Sequence, residues 1–204
     1  MMYYISKLVL ELLARIVFKI TICGRENLPV PPYIIISNHG SYVDPTLVGM
    51  LRRWNKLSFM AKKELFGSFM SRTWFRAVGC IEVDRDKGVA GLRKALHAIK
   101  HGRSVAIFPE GTRSVDGSLQ EAKKGAGFLI LRAAVPVVPV YIHGTHDALP
   151  KNGGVKYGTK MSLHAGRPFM VEDFASFSER KDYGGAATLV MDRIAELKES
   201  VEKG

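Results

Sequence analysis

This sequence predicts an α/β domain, a mixed, largely parallel sheet covered by helices, and three observations carry the prediction. Short apolar runs of four to eight residues alternate with segments of helical period along most of the chain. Alternation of that kind favours parallel strands joined through helical crossovers. The 204 residues, 47% of them apolar, suffice for one domain with a sizeable core and exclude a disordered chain. Polar segments directly follow three of the apolar runs, where ligands sit in sheets of this class, beyond the carboxyl ends of the strands.

The first element is a helix in residues 1–22, read as a unit apart from the single α/β domain of residues 23–204. "YYISKLVLELLARIVFKITI" is apolar except for a few positions, and its charges (Lys7, Glu11, Arg15 and Lys19) fall at intervals of four. On a helix they form one narrow, slowly drifting stripe, with Lys7–Glu11 and Glu11–Arg15 able to pair along it. Glu11 lies mid-segment, where a charge costs about 2.5–3.5 kcal/mol at the centre of a membrane span, so spanning is disfavoured. The interrupted apolar region, with no small-residue cleavage site after it, also argues against a secretory signal. A wide apolar face with a narrow, mainly cationic stripe suits a helix lying in a lipid interface, the alternative being a helix packed on its own domain.

"CGRENLPVPPY" (23–33) supplies the Gly and Pro of a turn. Residues 33–37, 57–61, 80–83, 104–108, 135–142 and 161–166 then read as strands, from their β-branched and alternating apolar content. Helices are predicted over 62–79, 88–102, 121–134 and 186–203. In the second, Val89, Leu92, Leu96 and Ile99 repeat at 3, 4, 3, and in the last, Val190, Ile194, Leu197 and Val201 repeat at 4, 3, 4. Phe66, Phe69, Met70 and Trp74 fall on one side of the helix predicted over 62–79, an apolar wall that either packs in the core or lines an acyl-chain tunnel.

Thirty Lys and Arg against 19 Asp and Glu leave a net charge of +11. Such an excess attracts nucleic acid, anionic lipid or an acidic protein partner. The stacking aromatics of an RNA-binding surface are missing, so nucleic acid is not expected as a partner. Two distant cysteines, Cys23 and Cys80, form no metal-ligand spacing and no disulfide framework.

The polar segments carry the chemistry. In "NHGSYVD" (38–44), His39 and Asp44 stand five positions apart. A hydroxyl becomes a useful nucleophile when a histidine removes its proton and a carboxylate orients the other ring nitrogen. The two residues point apart on a continuous helix, but they can meet if His39 lies in a turn and Asp44 starts the helix. "DP" fits such a start, with Asp44 as N-cap and Pro45 in the first turn. One carboxylate oxygen would then cap while the other faces the imidazole; a cap alone explains Asp44 as well. "FPEGTRS" (108–114) crowds Glu110, Gly111, Thr112, Arg113 and Ser114 behind an apolar strand. Arg113 can bind a phosphate through two nitrogens and Glu110 can hold a hydroxyl. The spacing is not that of a nucleotide-binding P-loop.

Taken with "GCIEVDR" (79–85) and "VPVVPV" (135–140), these segments resemble, in order and separation, the glycerolipid acyltransferase family, most of all its bacterial 1-acylglycerol-3-phosphate acyltransferases. The resemblance spans residues 37–141. Glu82 stands where the family more usually has an apolar or aromatic residue; on an alternating strand it faces solvent, opposite Ile81 and Val83. The resemblance implies transfer of a fatty acyl group from acyl-CoA or acyl carrier protein to the free hydroxyl of lysophosphatidic acid. His39 would be the base and Asp44 its orienting partner. Arg85 and Arg113 would bind phosphate, Glu110, Gly111 and Thr112 would shape the glycerol pocket, and Pro139 would stiffen the strand beside it. No metal, cofactor or acyl-enzyme is expected, with Cys80 read as strand packing and Ser41 as a turn hydroxyl. Together with the N-terminal helix, this implies peripheral or monotopic attachment to anionic phospholipid at the cytoplasmic face of the cell membrane, and fixes no oligomeric state. Two rivals stay open: an acyltransferase for glycerol 3-phosphate or another lysophospholipid, and a non-catalytic basic membrane-binding protein.

Overall fold

The computed structural model describes residues 1–52, 56–84 and 89–203. Seven strands form one sheet: β1 (Lys19–Cys23), β2 (Ile34–Ser37), β3 (Leu57–Lys62), β4 (Ile81–Val83), β5 (Ser104–Ile107), β6 (Val137–His143) and β7 (Lys160–Ala165). Their order is β1-β7-β6-β2-β5-β3-β4. Every pairing is parallel except β6 with β7, so the sheet is mixed and largely parallel, as predicted. The helices are α1 (Met2–Val17), α2 (Asp44–Met50), α3 (Phe69–Ala77), α4 (Val89–Lys100), α5 (Lys124–Ala133), α6 (Thr145–Ala148), α7 (Ala175–Arg180) and α8 (Tyr183–Lys203).

The central strand shows how the sequence builds this sheet. In "YIIIS", Ile34 and Ile36 belong to the core cluster on one face, with α4, α5 and α8, while Tyr33 and Ile35 belong to the cluster on the other, with α2. A two-residue period therefore reads as an uninterrupted apolar run, because helices cover both faces. The three isoleucines are 0–1% exposed, and burial of each contributes about 1.5–3 kcal/mol. Gly127 of α5 sets a close helix contact, since a Cβ there would lie 1.7 Å from the Tyr183 carbonyl oxygen at the start of α8. Pro139 sits where the β6–β7 ladder stops, its carbonyl accepting from Gly166 N–H at 2.9 Å.

Two elements depart from the sequence prediction. The N-terminal helix ends at Val17, not near residue 22, and the chain turns at Phe18 into β1, an edge strand paired with β7. Ile20, Thr21 and Ile22 are β-branched and alternate in burial, which favours a strand once a partner edge is available. The helix predicted over 62–79 is broken as well: β3 runs through Lys62, a 3-10 turn covers Lys63–Phe66, and α3 starts afresh. Ser68 caps α3, accepting from Ser71 N–H at 3.1 Å, while Ser71 Oγ accepts from Ser68 N–H at 3.2 Å. The break splits the predicted apolar wall. Phe66 is buried in the protein, Trp74 turns inward, and Phe69 and Met70 stand in solvent.

Candidate active site

The site lies beyond the carboxyl ends of β2, β5 and β3. Just past β2, Asn38 imitates a strand residue with its side chain. Its amide donates to Ile142 O at 2.9 Å and accepts from Ile142 N–H at 2.7 Å. That double bond to β6 holds the following residue, His39, at the sheet's edge. The His39 carbonyl accepts from Ser114 N–H at 2.7 Å, and its own N–H donates to Glu110 Oε1 at 3.2 Å. The loops after β2 and β5 are thus bonded to each other through the backbone of His39.

His39 Nδ1 lies 2.8 Å from Asp44 Oδ2. The same oxygen accepts from Gly40 N–H at 2.8 Å and Ser41 N–H at 2.7 Å. An oxygen that already accepts two amides makes Nδ1 the donor, which leaves Nε2 as the basic ring nitrogen. The imidazole stacks on Phe108, centroids 4.1 Å apart and planes 17° apart. Asp44 is fully buried. The cap expectation needs correction: Val43 is the N-cap of α2 and Asp44 its first residue, whose Oδ2 reaches back to the Gly40 and Ser41 amides as well as to the imidazole, while Oδ1 has no partner. The turn Gly40–Ser41 lets the chain fold round a single carboxylate oxygen, so no second oxygen is required.

Glu110 is 2% exposed, and its Oε2 is buried without a partner. Burial, aided by the charge of Asp44, pushes its carboxyl up to about 8, against the opposing effect of the His39 and Gln120 amides. Gly111 adopts φ +70, the left-handed region glycine favours, and a Cβ there would press at 3.1 Å on the Lys123 side chain. Between pH 4.5 and about 8 the folded carboxyl keeps a proton that the unfolded chain has lost. The folded state then binds more protons, so stability falls as pH rises through that window. Melting curves at about pH 5 and about pH 9 should show this loss in the wild type and a smaller one in Glu110→Gln, which keeps the acceptor for His39 N–H. Equal slopes would show that Glu110 is ionised throughout.

A cavity of about 480 Å³ opens in front of His39. Its walls are mostly apolar, with Leu10 from α1, Phe59 and Met60 from β3, Trp74 and Phe75 from α3, and Val78 just after it. His39, Thr112, Arg113, Lys62 and Lys151 contribute its polar lining. The Arg113 guanidinium lies 3.5 Å over the Tyr42 ring, and its Nη1 is buried with no hydrogen-bond acceptor. Such a donor is what an anionic ligand satisfies.

The structure brings His39, Asp44, Glu110, Gly111, Thr112 and Arg113 together, but Glu110, Gly111 and Asp44 are not among the cavity-lining residues. Glu110 braces the His39 loop through the bond it accepts from the His39 N–H. Arg85 lies outside the described residues. Cys80 lines the cavity, yet burial pushes its thiol up to about 11, which disfavours the thiolate a nucleophile needs. Ser41 is fully buried and donates to Leu149 O at 2.8 Å, so it is a structural hydroxyl. Glu82 is partly exposed, 3.9 Å from Arg76. Among the described residues, no group of three His, Cys, Asp or Glu side chains could hold a metal ion.

Lys151 and Tyr42 were not predicted. Tyr42 sits inside "NHGSYVD" and its position gives no sign that it will stack on Arg113. Lys151 lies more than one hundred positions from the motif; the Ser41–Leu149 bond and its own bond to Arg113 O at 3.4 Å bring it in.

A family described as Acyltransferase matches residues 19–143 of the chain. The 1-acyl-sn-glycerol-3-phosphate acyltransferase of Bacillus subtilis is 27% identical over 188 residues, 90% of each protein. A chloroplastic protein of the same description from Brassica napus is 33% identical over 153 residues, 72% of this chain and 44% of that protein. The chain thus spans less than half the length of the chloroplastic relatives it matches, 42–44%. The crystal structure of the 1-acyl-sn-glycerophosphate acyltransferase of Thermotoga maritima superposes with a TM-score of 0.76 at 28% identity, covering 94% of this chain and 79% of that one.

Proposed function

Because the chain belongs to the acyltransferase family, we propose that it transfers a fatty acyl group from an acyl thioester to the free sn-2 hydroxyl of lysophosphatidic acid, giving phosphatidic acid. The observation that carries the reading is the His39–Asp44 pair at the polar end of an apolar cavity beside a buried, unpartnered Arg113 nitrogen. The relatives described as acting on 1-acylglycerol phosphate support the same acceptor.

In this reading the acyl chain lies along the walls given by α1, β3 and α3, and the acceptor phosphate meets Arg113. Lys151 and Thr112 line the same end of the cavity. His39 Nε2 takes the proton of the acceptor hydroxyl as its oxygen attacks the thioester carbonyl carbon. Asp44 Oδ2, bonded to Nδ1–H, stabilises the imidazolium that forms. The tetrahedral intermediate collapses by breaking the carbon–sulfur bond. The departing thiolate of CoA or acyl carrier protein recovers the proton from Nε2, and ester and thiol are the products. Glu110 keeps His39 in register through its backbone.

The outward surface of α1 supports attachment to an anionic leaflet, at the cytoplasmic face of the membrane where thioester donors occur. Ile5, Leu8, Val9, Leu12, Leu13 and Ile16 are exposed, whereas the paired Lys7 and Glu11 face the cavity. A helix that turns its apolar side to solvent and its Lys7–Glu11 pair inward needs an apolar environment outside. Among the described residues, no helix is long and apolar enough to cross a membrane.

Thiol release from acyl-CoA and from acyl carrier protein, measured with lysophosphatidic acid, lysophosphatidylcholine and glycerol 3-phosphate, tests the reading. Turnover is expected with lysophosphatidic acid alone, and a preference for either other acceptor would overturn it. In the same assay, Arg113→Ala should raise the acceptor KM by about tenfold or more, the loss of a charge-assisted phosphate bond, and leave the donor KM unchanged. An effect confined to the donor KM would reverse the assignment of the polar end.

A further inference from the structure

Phe69 and Met70, the first two residues of α3, are 84% and 82% exposed. Consecutive large apolar side chains rarely stay in water without a partner surface, and these are held out by a rigid support, the Ser68–Ser71 capping box. Met70 lies one turn before Trp74, on the same stripe of α3, and the Trp74 indole N–H donates to Ser6 Oγ of α1 at 3.1 Å. α3 is thus tied to α1 at the cavity both line, α1 through Tyr3, Ser6 and Leu10 and α3 through Trp74 and Phe75, and each helix also carries exposed apolar residues, Phe69 and Met70 on α3 and Leu8 and Leu12 on α1. The flanking charges are mainly cationic: Lys62, Lys63, Arg72 and Arg76 against Glu64 over residues 62–76, with Lys63 also 3.3 Å from Asp84 and Arg76 3.9 Å from Glu82. Arg76 and Lys63 are 65% and 60% exposed.

We propose that the first turn of α3 is a second lipid-insertion element, with Phe69 and Met70 entering an anionic leaflet beside α1 while the neighbouring Lys and Arg side chains meet its phosphates. The inference rests on the proposed seating of α1 on lipid. The cavity then opens between two helices both set in the leaflet, and a lipid substrate passes from membrane to site without crossing water. Bulky apolar groups supply the insertion and basic ones the selectivity for anionic lipid.

Co-sedimentation of the full chain with phosphatidylglycerol–phosphatidylcholine vesicles tests this. Phe69→Ser with Met70→Ser should lower the partition coefficient by about tenfold, from the apolar area withdrawn from lipid. Turnover of a short-chain, freely soluble lysophosphatidate should stay at the wild-type level, because neither residue lines the cavity. Wild-type partitioning of this variant would overturn the proposal. So would a self-associated wild type that this variant converts to monomer without loss of vesicle binding. Leu8→Ser with Leu12→Ser keeps the two readings apart: loss of binding in this variant alone rejects the α3 element and leaves α1 standing, whereas wild-type binding in both rejects the seating of α1 as well.

Discussion

Replacing His39 with alanine is expected to lower acyl transfer by about 10²–10⁴-fold, the contribution of a positioned general base. The fold should survive. The contacts of His39 with Glu110 and Ser114 run through its backbone, which alanine keeps. What is lost on folding is the stack on Phe108, about 0.5–1.5 kcal/mol, and the bond from Nδ1–H to the Asp44 carboxylate, about 1.5–3 kcal/mol. Thiol release in the presence of lysophosphatidic acid, read alongside a melting curve, separates chemistry from stability. A variant that melts like the wild type and turns over like it would remove His39 from the reaction.

Asp44 should be nearly as sensitive, for a different reason. Its Oδ2 accepts from two backbone amides and from the imidazole, in a fully buried position. Asp44→Asn preserves size and can set its amide oxygen where Oδ2 accepts all three bonds, but it removes the negative charge that stabilises the imidazolium and buries an NH₂ without a partner. If its NH₂ turns to the ring, Nδ1 becomes an acceptor and Nε2 carries the proton, the wrong tautomer for a base. We expect kcat to fall by about a hundredfold or more with little change in acceptor KM, because Asp44 acts through His39. Asp44→Ala should also destabilise the fold, since the Gly40 and Ser41 amides then lose their acceptor at about 1–3 kcal/mol each. Equal kcat in wild type and Asp44→Asn would leave the carboxylate a purely structural role.

Much of this arrangement was legible in the sequence because the signals are local. The short β-branched apolar run Tyr33, Ile34, Ile35 and Ile36 identified the central strand, and the polar segments after β2 and β5 marked the site. What could not be read depended on partners far along the chain. Lys19 continued the four-residue spacing of charge, so residues 18–22 looked helical, although Ile20, Thr21 and Ile22 pair with β7 from the other end of the chain. The capping box at Ser68 was present in the sequence, but Phe66 and Trp74 on either side of it made the segment look continuous. Glu110 was legible as a pocket residue because it is charged and follows a strand. Its burial against the His39 amide depends on two loops meeting, and only the fold brings them together. Lys151 enters through a bond between loops, for the same reason.

The central claim, that His39 Nε2 activates the hydroxyl of lysophosphatidic acid for attack on a thioester, is tested most directly by mass-spectrometric analysis of lipid made by the purified full chain. The wild type should yield phosphatidic acid carrying the donor's acyl group at sn-2, and His39→Ala at the same folded concentration should yield none above background. Phosphatidic acid formed at a comparable rate by both proteins would contradict it.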